Sequence, residues 1–202
     1  MSKLIVDYPN NEVLVHHVHA LQFIDLYAEY IYPKVIQDAD NTTPENDPFG
    51  LGRATSLWGA EQVLRVGLIT LYHHWERSLN ELLAAQAQRA RSKLPSMNKK
   101  SMVAWSRETL LRQFEAELPE QIWSGMEELR RLVNALKHAD LDSYESLSRD
   151  YPEYFRLPTT KSITATDYEN CFLVAKAQYD RLATSVSSFW DKLPYTLAHR
   201  GA

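Results

Sequence analysis

Apolar residues recur at intervals of three and four along most of this chain, the spacing that places side chains on one face of an α-helix. The clearest run predicts a long central helix over residues 56–91, with Ser56 as its cap and Pro95 beyond its end. Its apolar positions are Ala60, Leu64, Leu68, Leu71, Trp75, Leu79 and Leu82. A first helix is predicted over residues 11–36, with apolar positions at Leu14, Val18, Leu21, Ile31 and Val35.

Turn-forming residues separate the predicted helices. Residues 38–55 are rich in Asn, Thr, Pro and Gly, which predicts a long exposed loop before the central helix. Shorter helices are predicted over residues 101–118 and 119–139, the second beginning at Pro119 because proline fits a first helical turn. Residues 140–163 are aromatic, acidic and interrupted by proline, which favours an ordered but irregular connection.

A last long helix is expected after Thr166 and Glu169, which have the spacing of a capping box. Its apolar positions keep a seven-residue repeat and are Tyr168, Phe172, Ala175, Tyr179, Leu182, Val186, Phe189 and Leu193. No strand pattern of comparable length competes with these helices. The pattern therefore predicts an all-α fold, with about five amphipathic helices packed as a bundle in one domain over residues 1–202.

Composition is consistent with a packed domain inside the cell. A hydrophobic content of 45% over 202 residues is enough for a sizeable core. The single cysteine, Cys171, cannot form an internal disulfide and fits a small packing residue in a helix. The sequence shows neither a basic and apolar leader at its start nor a run of about 20 apolar residues. We therefore expect a cytoplasmic protein without a membrane partner.

Charge is distributed unevenly along the chain, whose formal net charge is -4. Residues 1–50 contain eight acidic and two basic side chains, whereas residues 86–107 contain six basic and no acidic ones. The basic run can contact a phosphate backbone, and its candidate RNA-binding residues are Arg89, Arg91, Lys93, Lys99 and Lys100. The alternative for this run is an ordinary solvated helix end and loop.

Polar side chains that are able to take part in catalysis lie on one face of the helix predicted over residues 119–139. At 100° per residue, Glu127, Arg131, Asn134 and His138 lie within about 60° of one another, opposite the apolar positions Ile122, Met126, Leu129, Val133 and Leu136. A guanidinium group binds phosphate in a planar fork, and imidazole exchanges protons near neutral pH. Here His138 can move a proton, Arg131 can stabilise charge on a phosphate, and Asn134 can orient either group.

The same face is also compatible with a purely structural role. Exposed Arg, Asn and His residues are common on solvated helices, and Glu127 with Arg131 has the ordinary spacing of a helical ion pair. Glu76 on the central helix can support Arg131, or it can pair with His73 or Asn80 on its own helix. Spacing alone does not distinguish these alternatives.

Residues 131–138, RLVNALKH, resemble the signature helix of the HEPN superfamily, in which an Arg and a His are separated by four to six residues. The central helix around residues 71–76, LYHHWE, is similar to the helix that packs beside the signature helix. The resemblance implies an up-down all-α bundle and a homodimer with the signature helices at a cleft. It also implies a metal-independent endoribonuclease or RNA-binding effector of toxin–antitoxin or defence systems.

The resemblance assigns Arg131 and His138 to catalysis on RNA, whose 2′-hydroxyl can act as the nucleophile without a metal or another cofactor. Active members of the superfamily usually have a polar residue directly after the arginine, whereas this chain has Leu132. Two interpretations follow from that departure. Either Asn134 takes the role, or the protein binds RNA without cutting it.

Other sites are less well supported by the sequence. His16 and His19 have a spacing that can share a metal, but no carboxylate or cysteine at a diagnostic spacing accompanies them, so no metal site is predicted. No phosphate-binding or dinucleotide-binding glycine pattern is present. The alternative function is a helical interaction protein, such as an antitoxin, immunity factor or adaptor, that holds a protein partner through its acidic region at residues 1–50 or its aromatic connection.

Overall fold

A computed structural model describes residues 11–43, 45–156 and 164–194, and within them the fold is all-α, as predicted. The helices are α1 (Asn11–Asp25), α2 (Tyr32–Asp40), α3 (Leu51–Arg89), α4 (Met102–Phe114), α5 (Glu120–His138), α6 (Leu141–Asp150), α7 (Ala165–Cys171) and α8 (Lys176–Lys192). A π-helical stretch (Leu26–Ile31) joins α1 to α2. In the described part of the chain, extended pairing is limited to one isolated bridge between Phe155 and Phe172.

Helix α3 is the element on which the others assemble. Its 39 residues make it about 58 Å long at 1.5 Å per residue. Helices α1, α2, α5 and α8 all pack against it. The predicted apolar face is buried in full from Ala60 to Leu82, and Trp75 at its centre meets Phe189 of α8 edge to face at 5.4 Å. Among the described residues, no helix has both the length and the apolar character needed to cross a bilayer.

The loop before α3 is shorter than predicted, because α3 begins at Leu51 and α2 continues to Asp40. Ser56 is therefore inside the helix and does not cap it. The N-cap residue is Gly50, which has no side chain to donate or accept, and the Oδ2 atom of Asp47 instead accepts a hydrogen bond from the Arg53 backbone N–H in the first turn at 3.0 Å. Hydrogen bonds from the N–H groups of Arg53 and Gly52 lower the pKa of Asp47.

Helix α1 buries a different face from the one predicted. Leu14, Val18 and Leu21 are 38–45% exposed, whereas Val13 and Ala20 are buried. The reason is that α1 packs against both α3 and α8, and the small side chain of Ala20 allows a close approach on that side. The larger apolar residues are left facing solvent.

The connection after α5 is more helical than predicted. Asp140 accepts a hydrogen bond from the Ser143 N–H at 2.7 Å and so caps α6, which buries Tyr144 and Leu147. A 3₁₀ turn (Pro152–Tyr154) follows. The remainder of the predicted connection, residues 157–163, lies outside the described residues, as does the chain start, residues 1–10, where no leader pattern was found.

The last predicted helix is divided in two. Thr164 and Asp167 form the capping box that begins α7, in place of Thr166 and Glu169. The chain then becomes extended at Phe172, because this residue pairs with Phe155 and packs its ring 5.2 Å from that ring. Helix α8 begins only after Ala175.

A close contact joins α5 to α8. A Cβ atom added at Gly125 would lie 2.2 Å from the Ser185 Oγ atom and 2.7 Å from its Cβ atom. These distances are too short for any side chain, so Gly125 is required by the approach of the two helices rather than by its backbone conformation.

We expect Gly125→Ala to lower the free energy of unfolding by about 1–2 kcal/mol, because the clash with Ser185 outweighs the better helix propensity of alanine. Urea denaturation monitored by circular dichroism measures this change. Gly59→Ala is the matched control, since a Cβ atom there has Val35 Cγ1 as its nearest neighbour at 3.6 Å. The control should be neutral or stabilising; equal effects at both positions would contradict the packing argument.

Histidines line the contact between α1 and α3. His74 lies 6.0 Å from His19 and 4.9 Å from Phe23, measured between ring centroids, and His16 stacks on Trp190 of α8 at 5.4 Å. Burial and then the charges of His16 and His19 lower the pKa of His74. The folded state therefore disfavours the protonated form of this side chain.

Because the pKa of His74 is lowered in the folded state, the unfolded chain binds a proton first as the pH falls. Stability should be fully present above the unfolded pKa of about 6.5 and decline as the pH falls through that value. We expect the wild type to lose more stability between pH 7.5 and 5 than His74→Gln does. Chemical denaturation across that range is the measurement, and parallel curves for the two proteins would count against it.

Candidate functional site

Helix α5 divides into an apolar and a polar side, as the sequence predicted. Ile122, Met126, Leu129 and Val133 are buried, and Leu136 packs partly buried against the same core. These residues contact α3 and α8, which fixes the rotation of α5 about its axis. The opposite side of the helix is thereby turned outward.

The four polar residues of interest lie on this outward side. Glu127, Arg131 and Asn134 are partly exposed, and His138, the last residue of α5, is exposed. Nearby, hydrogen bonds from Ser143 lower the pKa of Asp140. The polar groups thus form one accessible strip along the C-terminal half of α5.

Arg131 is held by two carboxylates from different helices. Its Nε atom donates to Glu127 Oε1 at 3.1 Å, and its Nη1 atom donates to Asp150 Oδ2. Asp150 is the last residue of α6, which returns alongside α5 after a turn in which Ala139 has a φ of 49°. Asp150 did not emerge from the sequence, because its position beside Arg131 depends on α6, a helix that was not predicted.

Glu127 binds a second arginine, Arg130, in addition to Arg131. It accepts hydrogen bonds from the Arg130 Nε and Nη2 atoms, at 2.8 and 2.6 Å. Burial opposes ionisation of Glu127, but the hydrogen bonds and charges of Arg130 and Arg131 outweigh it and lower the pKa of Glu127. Glu127 therefore remains a carboxylate that fixes both arginines.

Glu76 lies behind these arginines, on α3. Its Oε2 atom is 3.4 Å from His73 Nδ1, which is one of the pairings that the helical spacing allows. In the described part of the chain, Arg131 forms its ion pairs with Glu127 and Asp150 and not with Glu76. Burial, together with the charge of Glu76, raises the pKa of Tyr72, whereas the charge of Arg130 opposes that rise.

Leu132, the residue after the arginine, is fully buried in the core. A polar side chain at this position would have to face the core rather than the strip. The amide available on the strip is instead that of Asn134.

The basic run lies at the other end of α5. Arg107 pairs with Glu120 at 3.0 Å, which places this end of the run beside the first residue of α5. His138 is 18 residues further along the helix, or about 27 Å away at 1.5 Å per residue. Within the run, Arg89, Arg91, Lys93, Lys99 and Lys100 are all exposed, and Lys100 pairs with Glu108. The structure does not bring the basic run together with the strip.

No site for a metal emerges from the histidines. Although His16, His19 and His74 are neighbours, no group of three or more potential ligands within the described residues has the geometry to hold a metal ion. His17 instead lies 3.3 Å from Ser187 Oγ, and Cys171 is a partly buried free thiol at the end of α7.

A buried ion pair that the sequence did not predict joins α5 to α8. Glu128 is buried, and its two oxygens accept hydrogen bonds from the Arg181 Nη1 and Nη2 atoms at 2.5 Å. The Tyr154 hydroxyl donates to Glu128 Oε1 at 2.5 Å. Burial and the hydrogen bond to Glu128 raise the pKa of Tyr154, so the phenol stays protonated. The pair is 53 residues apart in sequence, so helical spacing gives no signal for it.

This ion pair borders an open cleft of about 840 Å³ between α5 and α8. The cleft is lined by hydroxyl-bearing residues, namely Ser124, Tyr151, Thr184, Ser185 and Ser188, and by Glu120. Because both terminal nitrogens of Arg181 are hydrogen-bonded to Glu128, neither is available to a phosphate in the cleft. We interpret the Glu128 pair as a structural clamp between the two helices.

Comparison of the chain with protein-family models, curated proteins and solved structures gave no match. The interpretation of the site therefore depends on its own geometry.

Arg181→Ala should destabilise the fold by about 3 kcal/mol, because it leaves the buried carboxylate of Glu128 without its partner. Glu128→Ala should cost less, because the Arg181 side chain is half exposed and is solvated by water. The double variant Glu128→Ala with Arg181→Ala should cost clearly less than the sum of the two single variants, since no buried charge remains without its partner. A double-mutant cycle in urea measures this coupling. Simple additivity would show that the clamp is not a cooperative unit.

Proposed function

We propose that this protein is a HEPN-like RNA-binding effector that cleaves RNA without a metal, using the strip formed by Arg131, Asn134 and His138. The observation that carries the proposal is the common outward position of these side chains on α5, with the guanidinium group fixed from behind by Glu127. An exposed imidazole about two helical turns from an oriented guanidinium group, on the same side of the helix, suits chemistry on a phosphodiester.

In the proposed reaction, the 2′-hydroxyl oxygen of the RNA attacks the adjacent phosphorus atom and the bond from phosphorus to the 5′-oxygen breaks. His138 takes the proton of the 2′-hydroxyl, and a protonated imidazole supplies a proton to the leaving oxygen. One histidine cannot hold both protonation states in one turnover step, so a homodimer with two facing α5 strips supplies the second imidazole. The products are a 2′,3′-cyclic phosphate and a 5′-hydroxyl.

Arg131 stabilises the negative charge that develops on the phosphate oxygens. About a third of its side chain is exposed, and its Nη2 atom forms no hydrogen bond within the described residues, so a phosphate contacts this nitrogen first and then takes the place of Asp150 at Nη1. The basic run extends the binding surface for longer RNA. Reaching it from His138 requires about eight stacked nucleotides, at about 3.4 Å per nucleotide.

A second function, that of an interaction protein without catalysis, is favoured by one observation. Arg131 on the strip pairs with Glu127 and Asp150, and Glu127 also pairs with Arg130, so these four side chains have no net charge together. With Leu132 in the core, the strip has the character of a neutral, hydrogen-bonding surface suited to a protein partner.

Cleavage of a mixed-sequence RNA by the purified protein in EDTA tests the proposal. We expect His138→Ala and Arg131→Ala each to lower the cleavage rate by about 100-fold or more. Arg130→Ala is the matched control, since Arg130 shares Glu127 but lies beside Tyr72 rather than on the strip. DNA of the same sequence should remain intact, because it lacks the 2′-hydroxyl group.

Each outcome has a distinct meaning. Cleavage that persists in His138→Ala, or equal cleavage of DNA, would overturn the assigned chemistry. If a folded wild-type protein binds RNA but does not cleave it, the proposal of an RNA-binding effector stands and the proposal of a nuclease is rejected. Neither binding nor cleavage would leave the interaction protein as the function of the strip.

A further inference from the structure

The start of α3 and the loop before it expose large apolar side chains. Phe49 is 85% exposed, Leu51 is 68% exposed and Trp58 is 63% exposed. Leu51 and Trp58 are seven residues apart, so they lie on the same side of the helix. We call residues 38–58 the acidic arm, because four of their side chains are acidic and one is basic.

The carboxylates of the acidic arm lie in the same exposed segment as these apolar side chains and are available for pairing. Asp38, Asp40 and Glu45 are exposed, and none of them forms an ion pair with another described residue. Hydrogen bonding to Thr43 lowers the pKa of Glu45, which keeps this group ionised. An exposed apolar surface in an acidic segment is suited to a basic partner that also carries apolar groups.

The chain itself has such a surface at the far end of α3. We call residues 89–100 the basic end. Among the described residues, Arg91, Lys93 and Lys99 form no ion pair, and the side chain of Met97 is 44% exposed beside them. The basic end thus combines positive charge with an exposed apolar side chain.

The two complementary surfaces cannot meet within one molecule. They lie at opposite ends of α3, a helix of 39 residues and about 58 Å. A continuous helix buried along its centre by α1, α5 and α8 does not fold back on itself. Pairing of the two surfaces therefore requires two molecules.

We infer that copies of this protein associate head to tail, with the acidic arm of one molecule docked on the basic end of the next. Neither surface includes the strip on α5, so the inference does not depend on RNA cleavage. A contact between two different surfaces leaves a free surface at each end, so association continues into open chains rather than stopping at a dimer.

The contact should be weak and sensitive to salt. Three apolar side chains with a few charges make an area well below that of a standard stable interface. We expect association at protein concentrations of tens to hundreds of micromolar in about 50 mM salt, and at least about tenfold weaker association in 0.5 M salt, where the Debye length is only a few ångströms.

Sedimentation velocity of the full chain over 10–300 μM tests the inference. The wild type should show a sedimentation coefficient that rises continuously with concentration. Trp58→Asp, which removes the apolar centre of the acidic arm, should prevent this rise, as should Lys93→Glu with Lys99→Glu on the basic end. Circular dichroism of each variant confirms that it is folded.

A mixture of the two variants gives the sharper result. Trp58→Asp retains a normal basic end, and the Lys93 and Lys99 variant retains a normal acidic arm. Mixed in equal amounts, the two variants should associate with each other although neither associates alone. Where the α5 strips do not pair, the product is a one-to-one dimer that grows no further, because each remaining surface lacks a partner. A symmetric dimer through α5 would instead persist in every variant, independently of the mixing.

Val18→Asp is the matched control, since Val18 is 42% exposed on α1 beside His19, which packs against His74 near the middle of α3 and so between the two surfaces. It should associate like the wild type. The inference is overturned if the wild type shows no rise in sedimentation coefficient over the whole range, if Val18→Asp abolishes the rise, or if mixing the two variants restores no association.

Discussion

The rest of the structure depends on the burial of one continuous apolar face on α3. From Ala60 onward, α1, α5 and α8 pack against this face, and Trp75 at the middle of the face contacts α8. Burial of its aromatic and leucine side chains is the main favourable free energy for assembling the helices. Because the apolar side of α5 packs against this face of α3, the polar side of α5 must face solvent.

The position of the strip therefore follows from packing and not from any property of the polar residues themselves. Gly125 lets α5 approach α8 closely, and the clamp of Glu128 with Arg181 holds the two helices together. The turn at Ala139 then brings α6 back along α5, so that a carboxylate reaches the outward arginine. A change in the core that rotates α5 would move Arg131 and His138 together.

Periodicity predicted those parts of the molecule in which one helix face is buried by several neighbours, such as α3 and the apolar side of α5. It was wrong for α1, where Val13 is buried and Leu14 is exposed. Which of the two is buried depends on how closely α3 and α8 approach α1, and the sequence of α1 alone does not specify that distance. Periodicity also missed α6, whose burial consists of two residues. The Arg131, Asn134 and His138 arrangement was accessible from spacing, whereas Asp150 and Arg181 reach their partners only through tertiary structure.

The pairing of Arg131 with Asp150 affects the ionic balance of any anion that binds there. In the free protein the guanidinium group already has a carboxylate beside it, so an incoming phosphate exchanges one anion for another. The phosphate releases the cation that accompanied it, but the displaced Asp150 then attracts a cation of its own. Binding of a phosphate to Arg131 thus releases almost no net counterions. The affinity of Arg131 for phosphate should therefore depend on salt far less than the affinity of the exposed lysines does.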